Sequence, residues 1–94
     1  MYGITFDSKK EAERYLVLRS KAKAGQISEL VRQKRYELLP KQDGERAVYY
    51  VADFVYKLPD GTVIVEDVKG VKTDVYKLKK KLMLYTYGIK INEV

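Results

Sequence analysis

The chain has 94 residues, of which 46% are hydrophobic and 34% charged, a mixture typical of one small folded domain. It contains no cysteine and no histidine, which excludes disulfides, thiolate or histidine metal sites, and catalytic triads that depend on histidine. Any chemistry must therefore come from carboxylates, lysine, arginine, tyrosine or a hard metal ion held by oxygen ligands. We expect residues 1–94 to form a single domain.

The first predicted helix covers about residues 8–24, where apolar side chains recur at helical spacing. Ser8 and Glu11 fit a capping box at its start. Glu11 also falls within the apolar arc of this helix, so it is a cap, an inward-facing acid, or both. Residues 28–39 then predict a strand.

Four further elements follow along the chain. They are a strand at 47–56, a strand at 62–69 that ends at Gly70, a helix from Thr73 or Asp74 to Gly88, and a short strand at 89–94. A tight turn at 59–61 joins the strands before and after it, so these two are expected to form a hairpin. The order α-β-β-β-α-β predicts an α/β (α+β) fold, with a mixed sheet flanked by helices.

Three charged side chains of this hairpin are candidates for a site. Alternate side chains of a strand share a face, so Asp67 and Lys69 project together. Asp53 lies in the most apolar strand of the chain, where an unpaired buried carboxylate is costly. By the same alternation Asp53 shares a face with Val51 and Val55, and the three charged groups converge if the faces of the two strands are aligned.

Two carboxylates and a lysine suit metal-dependent hydrolysis of a phosphodiester. Asp53 and Asp67, with a backbone carbonyl such as that of Val68, would bind Mg²⁺ (or Mn²⁺) through oxygen. Lys69 would orient the attacking water or neutralise charge that develops on the phosphate. An acid-x-lysine triplet is a weak signal in so charged a chain. The alternative is that both acids are solvated, or paired with lysine, at strand ends.

The net charge of +6 lies entirely in the C-terminal part of the chain. Residues 68–92 contain seven lysines and one acid, whereas the rest has 12 basic and 12 acidic residues. A localised basic surface attracts a polyanion, most often nucleic acid, and the alternative is a solvated helix face. The candidate DNA-binding residues are Lys72, Lys77, Lys79, Lys80 and Lys81, together with Gln33 and Arg35 on the first strand. The alternative for Gln33 and Arg35 is that they are ordinary half-exposed strand residues.

The second predicted helix is amphipathic. Its apolar arc, which we expect to be buried core, comprises Val75, Leu78, Leu82 and Tyr85. Lysines lie on the opposite arc, and Tyr76 and Tyr87 alongside them are candidates for contacts with a nucleic-acid backbone.

Several runs of residues resemble one superfamily of nucleases. Residues 49–54 and 65–70 resemble the motif D-x(n)-(D/E)-x-K of the PD-(D/E)xK superfamily. With residues 6–13 and 75–82, they make nearly the whole chain similar to small phage- and prophage-encoded members. The resemblance implies the αβββαβ core of restriction-endonuclease-like proteins. Ala52 stands where the nominal motif has proline, a departure that leaves the carboxylates untouched.

The resemblance also implies roles for four residues in a Mg²⁺-dependent endodeoxyribonuclease. Asp53 and Asp67 match the metal-binding acids, Lys69 matches the catalytic lysine, and Glu11 matches the acid on the first helix of resolvase-like members. A basic, minimal, phage-like member most resembles the Holliday-junction resolvases, which process branched DNA. The alternatives are a nicking or end-processing nuclease, a non-catalytic nucleic-acid-binding module, and a structural or assembly protein.

The expected partners are DNA and a second copy of the chain. A homodimer would stabilise a small core and supply the two symmetric cuts that a four-way junction needs. Nine tyrosines offer aromatic surface for such an interface. The sequence has no stretch near ~18 apolar residues and no signal-peptide core. We therefore expect no membrane association and a cytoplasmic location, in the host cell if the chain is phage-encoded.

Overall fold

The computed structural model describes residues 3–69 and 71–94, which form six elements in the predicted order. They are α1 (Lys9–Lys23), β1 (Ser28–Leu39), β2 (Val48–Lys57), β3 (Val63–Asp67), α2 (Asp74–Tyr87) and β4 (Asn92–Glu93). The predicted fold class, a mixed sheet with two helices, is confirmed. Gly70 lies outside the described residues, and β3 ends at Asp67, so the strand predicted to reach residue 69 is two residues too long.

Local sequence signals set the ends of both helices. Ser8 caps α1 by accepting a hydrogen bond from the backbone N–H of Glu11, and Thr73 caps α2 in the same way. Gly88 ends α2 with a φ of 68°, a left-handed conformation that glycine adopts without steric cost. With 15 and 14 residues, neither described helix is long and apolar enough to cross a membrane.

The sheet has the strand order β1-β2-β3-β4 and forks between its two middle strands. β1 and β2 pair antiparallel along most of their length, up to Leu39 opposite Val48. β2 and β3 also pair antiparallel, but their register runs only from Lys57 opposite Val63 to Phe54 opposite Glu66. β4 then joins β3 in parallel. Beyond Phe54 and Glu66, the strands β2 and β3 therefore separate.

Two apolar clusters cover opposite faces of the sheet. The α1-side cluster has buried members Tyr15, Leu18, Ile27, Phe54 and Tyr56, and the α2-side cluster has Tyr36, Leu38, Tyr50, Ala52, Val55, Val65, Tyr76, Met83 and Ile91. In a regular strand Ala52 and Phe54 would share a face, yet they lie in different clusters. The side-chain alternation of β2 therefore breaks at Asp53.

This break corrects the prediction that Val51, Asp53 and Val55 share one face. Val51 is exposed, Val55 is buried in the α2-side cluster, and Asp53 is half-buried between them. The period-two rule assumes regular extended backbone, and the chain departs from it at the fork of the sheet.

The buried arc of α2 also differs from the prediction. Tyr76 and Met83 are buried, whereas Val75 is 63% and Tyr85 89% exposed. Leu78 is exposed too, and Leu82 is partly buried against the α2-side cluster. Tyr76 fixes the rotation of the helix, because its hydroxyl donates to a Glu93 carboxylate oxygen at 2.8 Å while its ring lies in the core.

Candidate active site

A cleft of about 300 Å³ opens where β2 and β3 separate, next to the first turn of α1. Its lining comes from the start of α1, from β2 and from the segment just after β3, and five of its seven residues are charged: Asp7, Ser8, Lys10, Glu11, Asp53, Val68 and Lys69. The fork therefore brings together residues that are up to about 60 positions apart in the chain.

Asp53 lies at the fork and is held from two sides. Its Oδ2 accepts a hydrogen bond of 2.8 Å from the backbone N–H of Val68, just after β3. Its Oδ1 accepts one of 3.3 Å from the side-chain amide of Gln33 in β1. The carboxylate of Asp53 thus bonds a backbone donor of the β3 segment at the point where the ladder between the strands has ended.

Asp67, the last residue of β3, is almost completely buried, with 1% exposure. Its Oδ2 accepts a hydrogen bond of 2.7 Å from the hydroxyl of Tyr50. Its Oδ1 has no hydrogen-bond partner and lies 3.4 Å from Nζ of Lys69. Burial and the nearby Asp53 carboxyl raise the pKa of Asp67 to about 7, although Tyr50 and Lys69 act in the opposite direction. Burying an ionised Asp67 is therefore costly.

Lys69 is positioned by α2 and β4. Its ammonium lies 4.7 Å from the ring centroid of Tyr76, whose hydroxyl donates to Glu93. The Glu93 carboxylate also pairs with Lys72 at 3.2 Å and with Lys80 at 3.1 Å. The tertiary contacts of α2 and β4 thus extend to the lysine of the cleft.

Glu93 should make the stability of the protein decrease at low pH. Hydrogen bonds from Tyr76 and Lys80 lower the pKa of Glu93 to about 2 from an ordinary value of 4.5. Since the folded-state pKa is the lower one, the stabilisation is complete above about pH 4.5 and is lost as the pH falls towards 2.

We therefore expect Glu93→Gln to lower the free energy of unfolding by ~1 kcal/mol at pH 7. Urea unfolding of the wild type and the variant from pH 7 to pH 2 measures this, and the two should converge in acid. A constant difference across this range would contradict the assignment.

Glu11 lines the same cleft from α1. Its carboxylate is buried and accepts hydrogen bonds from the Gln33 amide at 3.1 Å and from Arg32 at 3.5 Å. The backbone N–H of Glu11, not its side chain, donates to the Ser8 hydroxyl and caps the helix. The Glu11 side chain can therefore point into the cleft. Burial raises the pKa of Glu11, and the negative charges of Asp53 and Asp7 add to this.

The other residues predicted to bind DNA lie in different surroundings. Gln33 bonds two carboxylates of the cleft, and the guanidinium of Arg35 is exposed above the Tyr49 ring at 4.0 Å. Lys79 is half-buried. A second groove, of about 330 Å³, is lined by Lys77, Lys80, Lys81, Leu84, Lys90 and Ile91. Tyr76 is buried in the core, so the prediction that it contacts a nucleic-acid backbone is wrong.

Three residues contribute to the site in ways that the sequence did not predict. Tyr50 bonds Asp67, Tyr76 lies beside Lys69, and Gln33 joins Glu11 to Asp53. Tyr50 is one of several aromatic residues in its strand, so local patterns do not distinguish it. Gln33 and Tyr76 were expected to contact DNA instead. Their roles depend on which strands pair and in what register.

The oxygen atoms of the cleft fit a hard divalent cation in chemical type. Asp67 Oδ1 is a buried carboxylate oxygen that pairs with the Lys69 ammonium at 3.4 Å but has no hydrogen-bond partner, so it keeps capacity to coordinate a cation. Within residues 3–69 and 71–94, however, no three acidic side chains lie close enough to one point to form a preformed metal site. The fit therefore rests on Asp53 and Asp67, with Glu11 linked to Asp53 through the Gln33 amide.

Comparison with known proteins finds a family model that matches residues 1–92 and is described as Protein of unknown function (DUF1064). No curated protein matches the chain, and no solved structure does.

Proposed function

The chain belongs to this family, and we propose that it is a metal-dependent DNA endonuclease that hydrolyses phosphodiester bonds. The observation that carries the proposal is the buried carboxylate of Asp67, which has one oxygen without a hydrogen-bond partner and lies behind Asp53 and Lys69, two residues that line the cleft. The resemblance of these residues to the PD-(D/E)xK motif supports the same activity.

Each residue of the cleft has a role in the proposed reaction. Asp53 and Asp67 would hold Mg²⁺ or Mn²⁺, with Glu11 and the carbonyl of Val68 as further ligands. When bound, the ion polarises the phosphate and acidifies a water molecule. Lys69 orients this water or neutralises charge that develops on the phosphate.

Neighbouring groups keep this arrangement in place. The Tyr50 hydroxyl orients Asp67 through a hydrogen bond, and burial raises the pKa of Tyr50, so it remains a donor at neutral pH. Tyr76 restricts the position of Lys69.

A non-catalytic nucleic-acid-binding module is the main rival. Such a module would gain nothing from a buried acid whose pKa is raised to about 7, since a negative charge weakens binding to a polyanion. Perturbed carboxylates in a cleft are typical of catalytic sites. The position of Asp67 therefore favours chemistry over binding alone.

A cleavage assay tests the proposal. Linear, nicked, flapped and four-way-junction DNA substrates are incubated with the protein and Mg²⁺ or Mn²⁺, with EDTA as the control. We expect cation-dependent hydrolysis that leaves a phosphate on one new end and a hydroxyl on the other. If the protein binds these substrates but cleaves none of them, the binding module is supported instead. Mapping the ends on the junction distinguishes paired symmetric cuts from single nicks or end processing.

The lysines of α2 are proposed to bind the DNA backbone. The charge-removing substitutions Lys77→Gln and Lys81→Gln should each weaken binding of all DNA sequences. Each should also lower the slope of log affinity against log salt concentration (the salt slope) by up to about one unit. Lys80→Gln should have a smaller effect, because Lys80 already pairs with Glu93. Fluorescence anisotropy at several salt concentrations measures this.

The matched control for these variants is Lys41→Gln, at an exposed position of the loop before β2. It changes the net charge by the same amount as each α2 variant. Equal losses of affinity in the control and the α2 variants would show that only the total charge matters.

A homodimer is proposed as the active form on branched DNA. The apolar residues Val75, Leu78 and Tyr85 on α2 are exposed, and a second copy of the chain would bury them. We expect light scattering at micromolar concentration to give twice the chain mass, and Leu78→Glu to give the mass of one chain. A wild-type monomer with and without junction DNA would contradict the proposal.

A further inference from the structure

Gln33 has a backbone conformation that is unusual for a residue within a β-strand. Its φ is 53°, in the left-handed region, which side chains other than glycine rarely adopt. The register of β1 with β2 is the same before and after it, since Arg32 pairs with Phe54 and Lys34 with Ala52. Gln33 therefore lies opposite Asp53 without an inserted residue.

The left-handed turn of Gln33 coincides with a change of face in both strands. Before it, the Arg32 guanidinium lies 4.4 Å from the Phe6 ring centroid, on the α1 side of the sheet. After it, Tyr36 packs in the α2-side cluster, although Arg32 and Tyr36 would share a face in a regular strand. β2 changes face at Asp53, directly across from Gln33.

The side-chain amide of Gln33 connects two acids of the cleft. Its Nε2 lies 3.1 Å from a Glu11 oxygen and 3.3 Å from an Asp53 oxygen, so its two hydrogens can serve both carboxylates. Without a donor between them, the two negative groups would repel each other and move apart.

We propose that Gln33 is a positioning residue, whose amide holds the Glu11 and Asp53 carboxylates together at the proposed cation site. The left-handed backbone turns the amide into the space between α1 and β2, where a regular strand residue would not place it. This inference rests on the proposed function, because it assigns Gln33 to the cation site of the same cleft. It also replaces the direct phosphate contact predicted for Gln33.

Two substitutions separate the amide from the backbone. Gln33→Gly removes the amide but suits a positive φ, whereas Gln33→Ala removes the amide and keeps the unfavourable conformation. Glu29 has nearly the same φ, 52°, lies outside the cleft and pairs with Lys57, so Glu29→Gly is the matched control for backbone relief.

Calorimetric titration with Mn²⁺ measures the cation site directly. We expect Gln33→Gly and Gln33→Ala to weaken Mn²⁺ binding alike, by about 10- to 100-fold, as is typical when a partner of a ligand is removed. Glu29→Gly should bind Mn²⁺ like the wild type. Thermal unfolding without metal should show a higher midpoint for Gln33→Gly than for Gln33→Ala.

The outcomes distinguish this inference from the function on which it rests. Wild-type Mn²⁺ affinity in Gln33→Gly would overturn the positioning role while the nuclease proposal stands. A folded wild type that binds no Mn²⁺ would overturn both. Metal-free DNA affinity gives the last readout: it should not change in Gln33→Gly, and a loss with a reduced salt slope would assign Gln33 to a phosphate contact instead.

Discussion

Asp67→Asn should reduce Mg²⁺-dependent DNA cleavage by ~10³-fold or more without loss of DNA binding. The asparagine has the same shape and its oxygen can still accept the hydrogen bond of Tyr50, but it lacks the negative charge that would bind a cation. DNA affinity should be equal or greater, because a negative charge is removed from the cleft.

The same variant should be at least as stable as the wild type. Asp67 is buried and its neighbour Asp53 raises its pKa, so a neutral side chain removes a desolvated charge. Single-turnover cleavage, anisotropy in EDTA and thermal unfolding together measure the three quantities.

Asp43→Asn is the matched control for this variant. It makes the same change of charge at an exposed position between β1 and β2, and it should leave cleavage unchanged. If Asp67→Asn cut DNA at the wild-type rate, Asp67 would not belong to the active site and the proposed function would lose its main support.

Arg14→Met should lower the free energy of unfolding by about 3–5 kcal/mol, the largest effect on stability that we expect. Arg14 on α1 forms two parallel hydrogen bonds, of 2.9 and 2.7 Å, with the two carboxylate oxygens of Glu66 on β3. Glu66 has 0% exposure, and its further bonded partner is the hydroxyl of Tyr56. Removing the arginine leaves an ionised carboxylate buried without its counter-charge.

The double variant Arg14→Met, Glu66→Gln tests this reason. Because it neutralises the stranded charge and keeps a partner for Tyr56, it should recover at least half of the lost stability. The matched control Arg46→Met lies at an exposed position and should change stability by less than about 0.5 kcal/mol. Chemical denaturation measures all three.

A double variant no more stable than Arg14→Met would contradict the explanation by charge burial. The loss would then come from the packing of the long Arg14 side chain between α1 and the sheet. The ion pair also holds α1 against β3, so Arg14→Met should weaken Mn²⁺ binding through Glu11, which α1 carries.

The sequence by itself determined the element order, the fold class and most element ends. These features depend on local signals: helical spacing in 8–24, a rich β pattern in 47–56, the turn at 59–61, and caps at Ser8 and Thr73. Such signals act over a few residues, so they can be interpreted without knowing the tertiary fold. The sequence also identified Glu11, Asp53 and Lys69, three of the five charged residues that line the cleft, because acids are conspicuous in apolar strands and helix arcs.

Tertiary structure alone decided how these pieces are oriented. The apolar arc of α2 differs from the prediction because the hydrogen bond of Tyr76 to Glu93 in β4, a tertiary contact beyond the helix itself, sets the helix rotation. The role of Gln33 and the break of alternation at Asp53 depend on which strands pair and where β2 separates from β3. Likewise, Arg14 and Glu66 are 52 residues apart, and only long-range packing brings their charges together.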